Sequence, residues 1–262
     1  MMRHERFEEL LKTKVLGRNA VFLEKVDSTN IKAKYMAQSG CPNGQLVVSE
    51  HQLEGRGRRG KAWSDEAEQS ICMSLVLRPN ILSEFAPRYP LATALALFEA
   101  LKPMGIEAKI KWPNDLMYRG KKLSGILLEA GISEKSLFLV VGVGINVNQT
   151  LFEGDIRDTA TSLRLITGKE VERETVLAAM LNCMEGVFPL CETDEGFEHL
   201  LKRYTAASCT LGKKVDIIGV DSKLTGIAET LDAQGRLMVR TLDGALAAVN
   251  AGDVSTRDAS EG

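Results

Sequence analysis

Gly55-Arg56-Gly57-Arg58-Arg59-Gly60-Lys61-Ala62-Trp63 is the stretch on which the reading of this chain turns. Three glycines, four cations and one of the chain's two tryptophans share these nine positions. Glycine lets backbone N–H groups turn toward a ligand and approach it closely. Arginine's planar fork suits phosphate and carboxylate. The stretch therefore reads either as an anion-binding loop for a nucleotide or as an exposed basic turn, since charge runs are usually solvated. Two nucleotide patterns overlap it, each tied to its own fold. Gly55, Gly57 and Gly60 match G-x-G-x-x-G, but a dinucleotide fold needs an apolar-faced helix right after the last glycine. Here the chain runs on as Ser64-Asp65-Glu66-Ala67-Glu68-Gln69-Ser70, too polar and too short. Gly55–Lys61 also matches G-x-x-x-x-G-K, but Ala62 stands where a phosphate-binding loop needs Ser or Thr for Mg²⁺. Neither pattern holds, and the fold is left to the rest of the chain.

Composition sets the outer bounds. The 262 residues suffice for one large domain, or a main domain with a small appendage. Apolar residues make up 44% and charged residues 26%, an ordinary balance for a chain that buries a sizeable core. The net charge is −2, so the basic stretch is a local feature, which argues against a general nucleic-acid binder. Cys41, Cys72, Cys183, Cys191 and Cys209 show neither C-x-x-C nor zinc spacing and read as reduced thiols of a cytoplasmic protein. Met1–Leu11 carries charges where a signal peptide needs an apolar run, so none is expected. No apolar run approaches the ~20 residues of a membrane span.

Outward from the loop, periodicity predicts the elements. Phe7, Leu10 and Leu11 suit one face of a short helix, and Val21–Leu23 a strand. Asp27-Ser28-Thr29-Asn30 precedes a helix over Ile31–Gln38. The run is either a set of capping residues or a set of polar groups facing a ligand. Leu46–Ser49 and Ile71–Leu77 read as strands, which places the loop between two strands. Tyr89–Leu101 reads as a buried helix ended by Pro103 and Gly105. Ile106–Trp112 alternates as a strand. Tyr118–Lys121 is a hairpin turn, Lys122–Ala130 the returning strand and Leu137–Val147 a nearly continuous apolar strand. Gly142 and Gly144 inside it suggest a bulge or a ligand against the backbone. Three helices follow, opening at Ala160–Leu163, Glu174–Phe188 and Glu195–Tyr204. From Leu211 the grammar changes to short strands: Lys214–Ile218, Leu224–Leu231, Leu237–Thr241 and Ala245–Asn250.

Polar clusters recur at the strand ends. DSTN (Asp27–Asn30), EHQLEGRGRRGKAW (Glu50–Trp63), KWPNDL (Lys111–Leu116), KKLSGILLE (Lys121–Glu129), GVGINVN (Gly142–Asn148) and ATSL (Ala160–Leu163) follow in order. Their order and wording closely resemble the biotin protein ligase family. The resemblance covers about residues 20–255. It implies an α+β fold: a central mixed sheet with flanking helices, like the ligase core of class II synthetases, plus a small SH3-like β-barrel. The expected division is a catalytic domain over residues 1–208 and a C-terminal domain over residues 209–262.

The resemblance implies a two-step reaction. ATP and biotin give biotinyl-5′-adenylate and pyrophosphate. The adenylate then acylates a lysine of the biotin carboxyl carrier protein of acetyl-CoA carboxylase. By position, Ser28, Thr29 and Asn30 would bond the ureido ring. Gln52, Gly57 and Arg58 would hold the carboxylate end, and Gly55, Arg56 and Gly125 are also expected among the ligand-binding residues. Lys122 would neutralise the reacting carboxylate and α-phosphate. It carries the chemistry together with Arg58 and Lys111, although a salt-bridged strand lysine is its plain alternative. Lys61 would reach the pyrophosphate. Asn146 and Asn114 would contact the nucleotide, and Asp115 would help hold Mg²⁺ through the phosphates, although Asn114 and Asp115 are also ordinary turn residues. Gly142 and Gly144 would let biotin's rings lie on the backbone. Trp63 and Trp112 are first of all apolar mass, and Trp63 would pack near the adenine once the loop closes. His51 is not expected to serve as a base. The loop itself would be a lid, mobile when empty.

Two departures and two rivals complete the picture. Only about 20 residues precede the first core strand, so a monofunctional ligase without a winged-helix domain or DNA partner is expected. The C-terminal unit lacks a tryptophan that some members carry near its end. A lipoate- or octanoate-transferring enzyme of the same superfamily is the rival enzyme, and a basic-loop nucleic-acid module the rival of another class. A homodimer is possible on the family's pattern.

Overall fold

Side chains that alternate between two different cores set the architecture of the computed structural model, which describes residues 1–133, 136–218, 223–250 and 252–257. Seven strands form the main sheet: β1 (Ala20–Val26), β2 (Leu46–Gln52), β3 (Ser70–Leu77), β4 (Lys109–Lys111), β5 (Asp115–Tyr118), β6 (Lys121–Ser133) and β7 (Ser136–Asn146). Their order is β1-β2-β3-β7-β6-β5-β4. Only β1 and β2 run parallel, so the sheet is mixed, as expected. Six helices accompany them among the described residues: α1 (His4–Leu10), α2 (Thr29–Gln38), α3 (Arg88–Leu101), α4 (Leu163–Thr167), α5 (Arg173–Val187) and α6 (Asp194–Ala207).

Side chains alternate across a strand, and the two faces of this sheet have different fates. Ile71, Met73, Leu75 and Leu77 of β3, with Leu139, Val141, Val143 and Ile145 of β7, enter the large core under α3 and α5. The opposite face is apolar only at one end, where Val47, Val76, Phe138 and Val140 meet Ala33 and Ala37 of α2. Further along that face the same alternation brings Cys72, Ser74, Gly142, Gly144 and Asn146. Two of these are glycines, so the face becomes a hollow where α2 no longer covers it.

Gly142 and Gly144 form no bulge, since β7 keeps unbroken register with both neighbours. The strand expected over Ile106–Trp112 shrinks to β4 because its partner β5 offers only four residues. Ile106, Ala108, Ile110 and Trp112 are nevertheless all buried, as their alternation requires. The helical stretch Arg173–Cys191 reaches 19 residues, but its apolar face, with Val176, Leu177, Met180, Leu181 and Met184, is buried inside the molecule, where the helix packs against α1 and α3. It is a core helix.

The C-terminal unit is an antiparallel sheet of β8 (Lys214–Ile218), β9 (Lys223–Leu231), β10 (Leu237–Thr241), β11 (Leu246–Val249) and β12 (Asp253–Arg257), in the order β11-β10-β9-β8-β12. β12 escaped the sequence reading because it lacks an apolar run. Gly219, read as a turn, lies outside the described residues. Trp112 fastens this unit to the main sheet. Its backbone N–H donates to Thr210 Oγ1 at 2.9 Å and its indole N–H to the Gly235 carbonyl at 3.0 Å.

Candidate active site

Beside Gly142 and Gly144 lies a cavity of about 360 Å³, lined by every candidate residue named from the sequence except Asp27 and Gly55. One wall is the turn from β1 into α2. Ser28, Thr29 and Asn30 are almost fully buried, and the Ser28 side chain makes no capping bond. Instead the Thr29 N–H and hydroxyl both donate to Gln52 Oε1, at 2.9 and 3.0 Å. Ser74 Oγ donates to Asn30 Oδ1 at 2.6 Å and lies 2.8 Å from Thr29 Oγ1. Asn30 Nδ2 donates to Glu129 at 2.9 Å. Ser28–Asn30 is therefore a polar wall rather than only a helix cap, and Asp27 lies outside the lining.

The glycine-arginine stretch folds over the opening as a small hairpin. Gly57 N–H donates to the Lys61 carbonyl at 2.7 Å, and Trp63 N–H to the Gly55 carbonyl at 2.9 Å. A Cβ on Gly55 would lie 2.3 Å from the Trp63 carbonyl oxygen, so the base of the hairpin requires glycine. At the tip, Arg59 and Gly60 take positive φ of 55° and 75°. Arg58 donates to Asn114 Oδ1 at 2.7 Å across the cavity. Arg59 donates to the Ile218 carbonyl of the C-terminal unit.

Trp63 carries the hairpin down onto the sheet. A Cβ on Gly144 would come within 2.3 Å of its ring, and one on Gly125 within 3.4 Å. A Cβ on Gly142 would strike Asn30 Oδ1 at 2.1 Å. The space above both strand glycines is thus filled by protein: an indole over Gly144 and an amide over Gly142. The indole N–H of Trp63 is buried with no hydrogen-bond partner among the described residues. Cys72 lies under this region as well. Burial drives its thiol far above the ordinary range, helped by the Asp65 carboxylate, so it stays protonated.

Cations and a carboxylate converge at the other end. Lys122 Nζ lies 2.8 Å from Asp115 Oδ1, and Lys111 faces Asp115 across the β4–β5 pair. The Lys122 backbone is clamped to the segment after residue 156, donating to Thr159 O at 2.7 Å and accepting from Thr161 N–H at 2.9 Å. Asn114 Nδ2 donates to Ile126 O at 2.6 Å, and Asn146 Nδ2 to Thr161 O at 3.0 Å. Both amides are thus held in fixed orientations at strand ends. His51 pairs with Asp65 at 3.1 Å and does not line the cavity. Among the described residues no group of three or more His, Cys, Asp or Glu could hold a metal ion.

The sequence reading missed five contributors. Ser74 and Glu129 support Asn30 from behind. Gly252, Val254 and Ser255 bring the C-terminal unit to the rim of the cavity. Glu129 closes the KKLSGILLE segment and was the one such residue with a sequence signal.

The cavity puts Arg58, Lys111 and Lys122 on one side and the polar groups of Ser28, Thr29 and Asn30 on the other, a lining suited to a ligand with an anionic part and a neutral polar part. The profile of the biotin/lipoate A/B protein ligase family matches residues 22–146, and that of the biotin protein ligase C terminal domain matches residues 210–257. The chain belongs to the biotin/lipoate A/B protein ligase family. It is 33% identical over 234 residues to the biotin–[acetyl-CoA-carboxylase] ligase of Mycobacterium tuberculosis, spanning 87% of this chain and 85% of that protein. It is 33% identical over 238 residues to the bifunctional ligase/repressor BirA of Bacillus spizizenii, spanning 89% of this chain and 73% of that one. Among solved structures, the biotin protein ligase from Aquifex aeolicus in complex with biotin and ATP aligns with TM-score 0.80 and 31% identity. That alignment covers 92% of this chain and 100% of the other.

Proposed function

We propose that this chain is an ATP-dependent biotin protein ligase. It activates biotin as biotinyl-5′-AMP and passes the biotinyl group to a lysine of the biotin carboxyl carrier protein of acetyl-CoA carboxylase. The observation that carries this reading is the convergence of Ser28–Asn30, Gln52, Arg58, Lys111 and Lys122 on one cavity under the hairpin. In the first step a biotin carboxylate oxygen bonds to the α-phosphorus of ATP, and the bond to pyrophosphate breaks. Two anions must meet, and Arg58, Lys111 and Lys122 offset their repulsion in a closed site where each charge counts for more than in water. Asp115 and the phosphates would hold Mg²⁺, whose charge would offset that of the departing pyrophosphate. Asp115 is near enough to Lys122 to keep that ammonium aimed. In the second step the carrier lysine, deprotonated, attacks the acyl carbon and AMP leaves. The hairpin excludes water while the adenylate waits.

Residues 1–208 would form the catalytic unit and residues 209–262 a unit that closes the rim. The five free thiols and the need for ATP fit a cytoplasmic enzyme. Among the described residues β6 has no strand partner beyond Gly125 on the side away from β7. That open edge is where a homodimer would form. The decisive assay is exchange of labelled pyrophosphate into ATP that depends on added biotin, followed by transfer of labelled biotin to the carrier domain. Exchange driven by lipoate or octanoate instead of biotin would replace this reading with the rival one.

A further inference from the structure

Asn30 is held from two sides by groups of different kinds. Its Oδ1 accepts from Ser74 Oγ at 2.6 Å, and its Nδ2 donates to Glu129 Oε2 at 2.9 Å. Only 4% of the residue is exposed. The amide lies so close over Gly142 that no Cβ fits between them. A primary amide has two N–H donors and two acceptor lone pairs, and its oxygen and nitrogen ends have nearly the same shape. Steric fit therefore does not decide which end points where.

The two partners differ in what they can decide. A hydroxyl both donates and accepts, so Ser74 would satisfy either end of Asn30. An ionised carboxylate only accepts, so Glu129 can face nothing but the nitrogen. We infer that Glu129 is a positioning residue for substrate recognition, setting the direction of the Asn30 amide so that a cyclic urea meets one fixed donor and one fixed acceptor. This rests on the biotin reading above. A urea ring carries one acceptor oxygen flanked by N–H donors, and a flipped amide would present the wrong atom to it. The plain alternative is a surface ion pair with Lys34. That pair spans 3.8 Å with the lysine 42% exposed, a geometry that contributes little.

Glu129→Gln tests this, because it keeps the shape and removes the acceptor-only character. In biotin-dependent pyrophosphate exchange the variant should raise the KM for biotin about tenfold, the scale of one charge-assisted hydrogen bond. The KM for ATP and the thermal midpoint should stay at wild-type values. Glu129→Asp, which remains acceptor-only, should recover part of the loss. In an Asn30→Ala background Glu129→Gln should be silent. The inference is overturned if the biotin KM stays within about twofold of wild type, if the two substitutions multiply, if the ATP KM rises equally, or if Glu129→Gln fails to fold. Wild-type protein without biotin-dependent exchange would instead remove the biotin reading itself.

Discussion

Arg58 Nη1 donates to Asn114 Oδ1 at 2.7 Å, so the hairpin between β2 and β3 is tied to the turn between β4 and β5 on the far side of the cavity. One side chain joins the roof to the wall that carries Asn114, Asp115 and, through Asp115, Lys122.

Arg58→Gly removes that tie and a cation together. The adenylate should then leave the site before transfer and label lysines of bystander proteins. The measurement is biotin incorporated into albumin added to the reaction, compared with wild type. Unchanged restriction to the carrier domain would mean that Arg58 does not retain the adenylate.

Lys122→Ala should lower adenylate formation by about two to three orders of magnitude, the scale of losing one preorganised charge in the transition state. The fold should persist, because Lys122 is 40% exposed at its side chain and its backbone bonds to Thr159 and Thr161 remain. Single-turnover adenylate formation with a parallel thermal melt separates the two effects. Near-normal turnover would assign the chemistry elsewhere.

Gly144→Ala places a methyl group against the Trp63 indole, where only 2.3 Å is free. Overpacking of this kind costs about 1–3 kcal/mol. Here β7 is paired along its length with β3 and β6, whereas the hairpin is held across the cavity through side chains such as Arg58, so the hairpin should yield. Tryptophan emission should shift to the red and the biotin KM should rise, with little change in the midpoint of unfolding. A large drop in that midpoint with unchanged emission would show that the strand gives way instead.

Glu185 supplies a pH dependence. Burial alone would raise its carboxyl, but the backbone N–H groups of Leu16, Val15 and Lys14 outweigh it and leave it below the usual value. A depressed folded value means the contribution is complete above the unfolded value, near 4.3, and is lost as pH falls through the lower folded value. The difference in melting temperature between wild type and Glu185→Gln should therefore be constant near neutrality and shrink in acid below about pH 4. A difference that persists at low pH would show that shape rather than charge anchors residues 14–16.

Much of this was legible in the sequence, for a local reason. The alternation Ile71, Met73, Leu75 fixes which face of β3 enters the large core under α3 and α5, and Asp27–Asn30, Gly55–Trp63 and Lys111–Asp115 are contiguous segments whose spacing survives folding. What escaped depends on partners distant in sequence. Ser74 and Glu129 meet Asn30 across 44 and 99 positions, and no short window shows them as a unit. β12 has no apolar run, so its seat beside β8 follows from backbone pairing alone. Trp112 read correctly as apolar mass, but its bond to Gly235 spans 123 positions and needed the fold.

The fit of Trp63 over Gly144 makes the hairpin more than a roof. The indole is part of the hairpin, yet it covers the strand backbone at the bottom of the hollow. Ceiling and part of the floor thus belong to one nine-residue segment, Gly55–Trp63, rather than to two separate elements.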